Sequence, residues 1–425
     1  MKTCFLLITG SIAAIKVPDI IRELQKKNFD VHCVLTKAAR EFVTPRALAA
    51  ISNNPVLENE WWSEKKRREG VLAEPEYEHL DFAKRADVFL VAPATADTIA
   101  RLASGRANGL FEATVLASNA PLLIAPAMNS KMLAAHTTQT NIDRLKKNGT
   151  TILSTNRGIL ACGETGDGKL LHPKDIALFA KRAVTPQTLK RKKVLITLGA
   201  TQEMLDPVRC LTNISSGKMG VALATQAFLC GAEVTIIAGK NEVIQKVSCA
   251  QLPIFQGITY ATSAEEMLCT TQKAIDNCDY AFFVAAVCDF APEKKQEEKI
   301  HDGFSSLQWK KTPDIAAEMG KRKKKHQQFF GFALQTKTSP PIMRTEGGIK
   351  KNNQSVQSKN SITPEQVARK KMEKKNLDGI FLNFPSNLQS EHGELFFLQK
   401  NGESKKIQGT KMEMAEEIIF QLLNF

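Results

Sequence analysis

The sequence predicts an α/β protein with two doubly wound domains. Short apolar runs alternate with amphipathic helical patterns through residues 1–184, and a second alternation of this kind fills residues 194–425. Strands that alternate with helices form parallel sheets covered by helices. The polar and basic segment 185–193 is interpreted as a linker. A length of 425 residues agrees with a division into two or three domains.

In the N-terminal half, the predicted strands are short apolar runs. They are Cys4–Thr9, Val31–Leu35, Val88–Ala92, Leu122–Ala125 and Thr151–Leu153. Helical patterns such as Pro18–Lys27 and Asp97–Ala103 separate them. A Gly-Ser turn after the first strand precedes a predicted helix from Ile12, and this break argues against a signal peptide over Cys4–Ile15.

The C-terminal half repeats the alternation with different sequences. Its predicted strands are Val194–Thr197, Val234–Ala238, Tyr280–Val287, Phe329–Ala333 and Gly379–Leu382. Its predicted helices are Met219–Leu229, Met267–Asp276 and Met412–Leu423. Residues 337–362 are rich in polar side chains and nearly free of large apolar ones, which predicts a mobile insertion.

Composition excludes several classes of protein. Hydrophobic residues make up 43% and charged residues 24% of the chain, as in soluble globular proteins. The net charge of +14 is spread over both halves, and small anionic substrates such as phosphates explain it at least as well as nucleic acid does. No apolar run approaches the ~20 residues of a membrane span. Nine cysteines without a C-x-x-C pair indicate a reducing compartment, so we expect a cytoplasmic protein.

Small or hydroxyl residues follow three of the predicted strands. Gly10 and Ser11 follow the first strand, Thr36 follows the second, and Ala94 and Thr95 lie in the loop after the third. Ligands of open α/β sheets bind at the carboxyl ends of strands. The helix that follows such a loop offers unpaired N–H groups, which suit a phosphate.

Three further side chains could carry chemistry: His79 after an acidic stretch, Asn129 after an apolar strand, and Cys162 in a glycine-rich segment. Together with the loops above, they resemble the flavin-dependent phosphopantothenoylcysteine decarboxylases, part of the homo-oligomeric flavin-containing Cys decarboxylases. The segments that carry the resemblance are Thr9-Gly-Ser-Ile-Ala-Ala14, His79, Ala92-Pro-Ala-Thr95, Pro126-Ala-Met-Asn129 with Met132, and Ala161-Cys-Gly163.

This resemblance implies a flavodoxin-like fold and a bound FMN. The implied cofactor-binding residues are Gly10, Ser11, Thr36, Ala94 and Thr95. The implied chemistry oxidises the substrate thiol to a thioaldehyde, so that CO₂ can leave. His79 would act as the base, Asn129 would hold the substrate carboxylate and amide, and Cys162 would protonate the enethiolate. The sequence departs from the family pattern at Asp97, Leu133 and Lys169.

A second group of motifs begins after the predicted linker. The segment Leu195–Glu203 reads as a strand that enters a glycine turn, and Asp206-Pro-Val-Arg209 follows it. In Thr212–Gly220, small residues and a lysine precede a helix, which makes an anion-binding nest. The spacing is not that of a P-loop.

These motifs resemble the phosphopantothenate–cysteine ligase domain. Further matches are Ala285-Ala-Val-Cys-Asp289, Lys299, Pro313-Asp-Ile315, Gly331-Phe-Ala333, Ala368-Arg-Lys-Lys371, Lys375, Asn383 and Lys411. The resemblance implies a Rossmann-like fold and a Mg²⁺-dependent reaction with CTP that forms an acyl-cytidylate. The family pattern is changed at His301 and Gln335, and the insertion is enlarged.

The resemblance also implies site residues in this half. Asn213 and Lys299 would act in catalysis, and Asp289 would contact the metal. The implied nucleotide-binding residues are Ala285, Ala286, Val287, Asp289, Lys299, Pro313, Asp314, Ile315, Phe332, Lys371 and Lys375.

We therefore expect a bifunctional enzyme of coenzyme A biosynthesis that ligates 4′-phosphopantothenate with cysteine and then decarboxylates the product. Its partners would be these small molecules and CTP, without nucleic acid or membrane, in a homo-oligomer of flavin-domain trimers and ligase-domain dimers. Two alternatives remain open. One is a flavin decarboxylase with an inactive or altered C-terminal half, and the other is a flavin-binding regulatory subunit.

Overall fold

The computed structural model describes residues 1–59, 78–239, 258–301, 307–335, 363–387 and 390–423. The chain divides into two compact units, Met1–Pro186 and Gln187–Phe425. Both units are α/β, which confirms the predicted fold class. The predicted insertion 337–362 lies outside the described residues.

The first unit contains a six-stranded parallel sheet in the order β3-β2-β1-β4-β5-β6. The strands are β1 (Lys2–Ile8), β2 (Phe29–Leu35), β3 (Leu57–Glu58), β4 (Val88–Ala94), β5 (Leu122–Pro126) and β6 (Thr151–Ile152). Without the two-residue β3, this is the flavodoxin-like order, and its switch point lies between β1 and β4.

Helices cover both faces of this sheet. They are α1 (Val17–Gln25), α2 (Pro45–Ser52), α3 (Glu78–Arg85), α4 (Ala96–Ala103), α5 (Leu110–Leu116), α6 (Ser130–Ala134), α7 (His136–Lys147) and α8 (Pro173–Val184). Leu6 packs with α1 and α8 on one face, and Leu7 packs with α4 and α7 on the other. Alternate residues of a strand point to opposite faces, so the side chains of the apolar run in β1 pack into two hydrophobic cores, one on each face of the sheet.

An exposed hairpin follows this sheet. Its strands are β7 (Asn156–Ile159) and β8 (Thr165–Lys169), which pair antiparallel. At Gly168, φ is +112°, and a Cβ there would lie 2.2 Å from the carbonyl oxygen of Met128. Glycine therefore allows the hairpin to dock on the segment that carries Asn129. We call this hairpin and its turn, residues 156–169, the flap.

The second unit contains an eight-stranded mixed sheet in the order β13-β12-β9-β14-β17-β18-β19-β20. These strands are β9 (Lys193–Leu198), β12 (Glu233–Gly239), β13 (Thr259–Ala261), β14 (Tyr280–Phe283), β17 (Gln328–Leu334), β18 (Gly379–Asn383), β19 (His392–Gln399) and β20 (Ser404–Thr410). The first six are parallel in the Rossmann order, and the last two add an antiparallel edge.

Two short antiparallel ribbons accompany this sheet. They are formed by β10 (Gln202–Met204) with β11 (Cys210–Thr212), and by β15 (Phe290–Pro292) with β16 (Trp309–Lys311). The strand expected over Tyr280–Val287 ends at Phe283. The residues after Phe283 leave the sheet and line a pocket at its carboxyl edge.

The helices of this unit are α9 (Lys218–Leu229), α10 (Ala264–Ile275), α11 (Ile315–Arg322), α12 (Pro364–Lys374) and α13 (Lys411–Leu423). Buried side chains of α10, α11 and α12 share one core with the sheet. The helix α9 packs against α13, and it approaches β9 so closely that a Cβ at Gly220 would lie 2.4 Å from that of Leu198.

Residues 187–193 are packed onto the second unit. The Leu189 side chain is only 1% exposed, and its backbone N–H donates to the carbonyl of Cys230 at 2.8 Å. The Gln187 amide donates to the carbonyl of Leu229 at 3.0 Å. This polar and basic segment is therefore ordered against the C-terminal end of α9.

The described residues contain no helix that is long and apolar enough to cross a membrane. The eight cysteines among the described residues are free thiols.

Candidate active sites

The carboxyl edge of the first sheet brings together three of the predicted cofactor loops. The hydroxyl of Thr9 donates to the carbonyl of Pro93 at 2.7 Å and accepts from the N–H of Thr95 at 3.2 Å. The hydroxyl of Thr36 donates to the carbonyl of Ile8 at 3.2 Å. These bonds link the ends of β1, β2 and β4 around the switch point, where open α/β sheets bind ligands.

The backbone is tightly packed at the first of these loops. A Cβ at Gly10 would lie 2.6 Å from that of Ala38, so the loop after β1 approaches the loop after β2 too closely for a side chain. The Ser11 hydroxyl accepts from the N–H of Ala13, and Thr95 caps the N-terminus of α4 through the N–H of Thr98. Both loops therefore turn helical N–H groups toward this edge.

A pocket of about 1010 Å³ opens beside this edge. Three of the predicted site residues, Ser11, Asn129 and Cys162, line it. The Asn129 side-chain oxygen accepts from the N–H of Lys131 at 2.8 Å, which aims the amide nitrogen at the flap. That nitrogen donates to the Cys162 sulfur at 3.6 Å and to Glu164 Oε2 at 3.4 Å.

Glu164 is a member of this cluster that the sequence analysis missed. The Cys162 thiol donates to its carboxylate at 3.9 Å, and Cys162 and Glu164 are exposed while Asn129 is half-buried. The only available signal was the position of Glu164 two residues after Cys162 in a glycine-rich segment. The cluster places an amide and a thiol in the pocket lining, with a carboxylate within hydrogen-bonding distance of both.

The other predicted residues of this half lie outside the lining of that pocket. Gly10, Thr36, Ala94 and Thr95 lie at the sheet edge described above, and His79 lies in the first turn of α3. Within the described residues of one chain, the geometry therefore groups Asn129 with Cys162 but does not bring His79 into their pocket.

Asp97, at which the sequence departs from the family pattern, forms an ion pair with a neighbouring side chain. Its carboxylate pairs with the Arg101 guanidinium at 3.1 Å, and Arg101 also pairs at 3.3 Å with Glu112, which is buried. Asn59 donates to Glu112 at 2.9 Å. The charge of Asp97 is thus part of a network that joins α4 to α5. At the other departures, Leu133 packs on the core and Lys169 lines the pocket.

A second pocket, of about 820 Å³, lies at the carboxyl edge of the second sheet. It lies at the switch point between β9 and β14. Among the predicted residues, Lys299 is the one that does not line it. Those that do are Asn213, Ala285, Ala286, Val287, Asp289, Pro313, Asp314, Ile315, Phe332, Lys371 and Lys375.

Cations concentrate on two sides of this pocket. The pKa of Lys371 is lowered by burial and by the neighbouring charge of Lys375, and Lys375 pairs with Asp314 at 2.9 Å. On the other side, Lys218 follows Gly217, which has φ of +71°, and pairs with Glu391. This ion pair lowers the pKa of Glu391. A bound polyanion would neutralise the positive charge of Lys371 and Lys375 on one side and of Lys218 on the other.

The metal prediction rests on Asp289 alone. The described residues contain no cluster of three or more His, Cys, Asp or Glu side chains that could hold a metal ion. Asp289 and Asp314 both line the pocket. Magnesium in phosphoryl-transfer sites is held by one or two carboxylates together with substrate phosphates, so this donor set fits a metal that enters with a nucleotide.

Asn213 and Phe332 are held by defined contacts. The Asn213 amide nitrogen donates to the carbonyls of Ala286 at 3.3 Å and Val287 at 3.0 Å. It thereby links the segment before α9 to the loop after β14. The Phe332 ring lies 4.9 Å from that of Phe381, measured between centroids.

Lys299 lies in an exposed loop that is anchored by the Asp-Pro-Val-Arg motif. Asp206 is inaccessible to solvent, and one of its oxygens accepts from the N–H of Ile300 at 3.1 Å. Its other oxygen accepts from the N–H groups of Val208 and Arg209 at 2.7 Å each. Burial acts to raise the pKa of Asp206, but these donors hold it below its ordinary value. Arg209 donates to the Ile300 carbonyl at 2.7 Å.

Comparison with known families assigns both units. Residues 1–185 match the family model described as Flavoprotein. Residues 189–363 match the model described as DNA/pantothenate metabolism flavoprotein C-terminal domain.

Similar proteins span nearly the whole chain. The coenzyme A biosynthesis bifunctional protein CoaBC of Vibrio vulnificus is 33% identical over 433 residues, which cover 99% of this chain and 97% of that protein. The protein of the same name from Haemophilus influenzae is 34% identical over 426 residues, covering 98% and 96%. A cysteine/cysteine sulfinic acid decarboxylase from an unknown prokaryotic organism is 35% identical over 393 residues, covering 90% and 99%.

Among solved structures, the C-terminal domain of a CoaBC protein is similar, with 28% identity and a TM-score of 0.42. The match covers 56% of this chain and 97% of that domain.

Proposed function

The chain belongs to the family of the coenzyme A biosynthesis bifunctional protein CoaBC, and on that premise we propose how its two units divide the reactions. The second unit joins 4′-phosphopantothenate to cysteine, and the first unit decarboxylates the product to 4′-phosphopantetheine. The observation that carries this proposal is the contact between Asn129 and Cys162 of the flap, in a pocket beside the carboxyl edge of the first sheet.

The first unit has a site that fits FMN. Gly10, Ser11, Thr36, Ala94 and Thr95 would hold it, because they lie at the carboxyl edge of the sheet, where two loops present helical N–H groups. When bound, FMN supplies the two-electron oxidation of the substrate thiol and the later return of those electrons.

The side chains of this unit supply the remaining steps. His79 accepts the proton that leaves the substrate during oxidation. Asn129 donates its amide N–H to the substrate carboxylate and so orients it for loss of CO₂. Cys162 gives a proton to the enethiolate, because its thiol lies 3.6 Å from the Asn129 amide that holds the substrate.

The second unit activates the carboxylate of phosphopantothenate with CTP. Lys371 and Lys375 bind the phosphates, and Asp289 contacts the Mg²⁺ that accompanies them. Lys299 stabilises the charge that develops as the acyl-cytidylate and pyrophosphate form. Asn213 then orients the acyl-cytidylate for attack by the cysteine amine. The predicted contacts Ala285, Ala286, Val287, Pro313, Asp314, Ile315 and Phe332 enclose the nucleotide.

We also propose the predicted homo-oligomer, with trimers of the flavin unit and dimers of the ligase unit. Apolar side chains are exposed beside the first pocket at Ile12, Ile15 and Ile159. An apolar group of this kind favours contact with a second copy.

A rival activity follows from one of the relatives. The similarity to a cysteine/cysteine sulfinic acid decarboxylase raises the alternative that the first unit acts on a free amino acid. The two activities differ in whether the substrate carries a phosphate.

The full chain should convert 4′-phosphopantothenate, cysteine and CTP to 4′-phosphopantetheine, with one pyrophosphate and one CO₂ released per product. The protein should also release one FMN per chain on denaturation. Mass spectrometry of products and a parallel reaction with free cysteine decide between the candidates. Pyrophosphate without CO₂, or CO₂ from free cysteine alone, would reject the proposed division.

Asp206→Asn is expected to reduce ligation about tenfold, because one oxygen that accepts from the backbone becomes an amide donor and the Lys299 loop loses its anchor. Pyrophosphate release measures the effect, and decarboxylation of supplied substrate should not change. Asp279→Asn is the matched control, since Asp279 accepts from the backbone of Lys193 at 2.7 Å outside the pocket. Equal losses in both variants would point to general destabilisation instead.

A further inference from the structure

The pocket of the first unit continues beyond Asn129 and Cys162 along the outer face of α1. Its lining contains six cationic side chains and two carboxylates among the described residues. The cations are Lys16, Arg22, Lys26, Arg157, Lys169 and Lys174. All six are exposed. We call these six residues the basic rim.

The arrangement of α1 places charges along one stripe of the pocket. Asp19, Arg22, Glu23 and Lys26 are spaced by three and four residues, so they lie on one helical face. The stripe extends roughly 10 Å along the axis. Lys26 pairs with Glu23 at 2.7 Å. The described residues contain no ion pair of Arg22 or of Arg157, so both guanidinium groups are available to a ligand.

We propose that the basic rim, through Arg22 and Arg157 above all, binds the 4′-phosphate of the decarboxylase substrate. This inference rests on the proposed function. The cysteine end of the substrate must reach Asn129 and Cys162, and the same pocket then continues to the guanidinium groups. Arginine presents paired donors that match a phosphate dianion.

The flavin phosphate is a second possible source of the same chemistry. Four of the five residues assigned to FMN, Gly10, Thr36, Ala94 and Thr95, do not line this pocket, whereas Ser11 and all six cations of the basic rim do. The basic rim is therefore assigned to the substrate. It selects against free cysteine, whose carboxylate is needed at Asn129 and which has no phosphate to neutralise these charges.

The test uses the full-length double variant Arg22→Gln/Arg157→Gln. Steady-state decarboxylation is measured with phosphopantothenoylcysteine and with pantothenoylcysteine, which lacks the phosphate. The ratio of their kcat/KM values should fall about tenfold, or ~1.4 kcal/mol, mainly through KM. The effect should shrink at high salt, since the cations are exposed. Lys147→Gln removes an exposed charge of the same unit outside the pocket, and its ratio should match that of the parent.

Three outcomes would overturn the assignment. The parent enzyme could process both substrates with equal kcat/KM, or the double variant could keep the parent ratio. If the double variant binds FMN with a higher Kd and loses activity equally with both substrates, the two arginines bind the flavin phosphate instead. Failure of the parent to decarboxylate either substrate would instead refute the proposed function, so the two failures are distinguishable.

Discussion

Lys299→Gln is expected to reduce CTP-dependent ligation about 100-fold or more, the usual cost of removing a group that stabilises charge in a transition state. Decarboxylation of supplied phosphopantothenoylcysteine should continue at the parent rate. Lys299 is exposed and contributes nothing to the core, so its loss leaves the fold intact. The cluster of Asn129 and Cys162 lies in the other unit and has its own pocket.

Two assays on one preparation measure this result: pyrophosphate release with CTP, phosphopantothenate and cysteine, and CO₂ release from supplied substrate. Lys295→Gln is the matched control, because Lys295 is an exposed cation of the same loop. If the two variants ligate equally well, Lys299 does not reach the nucleotide. Loss of decarboxylation in a folded Lys299→Gln protein would contradict the division between the units.

Cys162→Ser is expected to separate the two halves of the decarboxylation. A hydroxyl is nearly the same size as a thiol but a much weaker acid, so protonation of the enethiolate should slow about 100-fold or more. Loss of CO₂ depends on His79 and Asn129 and should continue. The variant should fold normally, because Cys162 is exposed and its sulfur bonds to Asn129 and Glu164, which are at the surface of the flap and pocket rather than in the core.

A single turnover followed by mass spectrometry identifies the species that accumulates. The oxidised enethiol should build up in Cys162→Ser, whereas His79→Asn should release no CO₂. Cys269→Ser changes an exposed thiol of the other unit and should form phosphopantetheine like the parent. If Cys162→Ser also forms it at the parent rate, the cysteine has only a structural role in the flap.

The central strands of both sheets could be predicted because burial on two faces leaves a clear signature. In β1, every residue from Cys4 to Ile8 is buried, and the apolar run is continuous. The predicted boundaries differ from the observed ones by a few residues. The ends of strands often carry polar side chains, and there the extent of the strand depends on backbone hydrogen bonds, which an apolar pattern does not reveal. The end of β14 at Phe283 has another cause, because the apolar residues 284–287 that follow leave the sheet to line the pocket.

The flap and the sheet edge could not be predicted in the same way. The strand β8 consists of Thr, Gly, Asp, Gly and Lys, and β20 contains five polar residues among seven, so neither shows an apolar alternation. Their pairing is held by backbone bonds to a neighbouring strand, which leave little trace in the side chains. Likewise, the anchoring of Ile300 by Asp206 joins residues far apart in sequence.

The packing of residues 187–193 determines where the two activities can be separated by truncation. A ligase half that starts at Lys193 would lose the buried Leu189 side chain and the bond from Gln187 to α9. Burial of a leucine is worth about 1.5–3 kcal/mol, a sizeable share of the stability of a domain. A cut before Gln187 keeps these contacts. Only Thr185 and Pro186 then remain between the end of α8 and the first residue of the second unit.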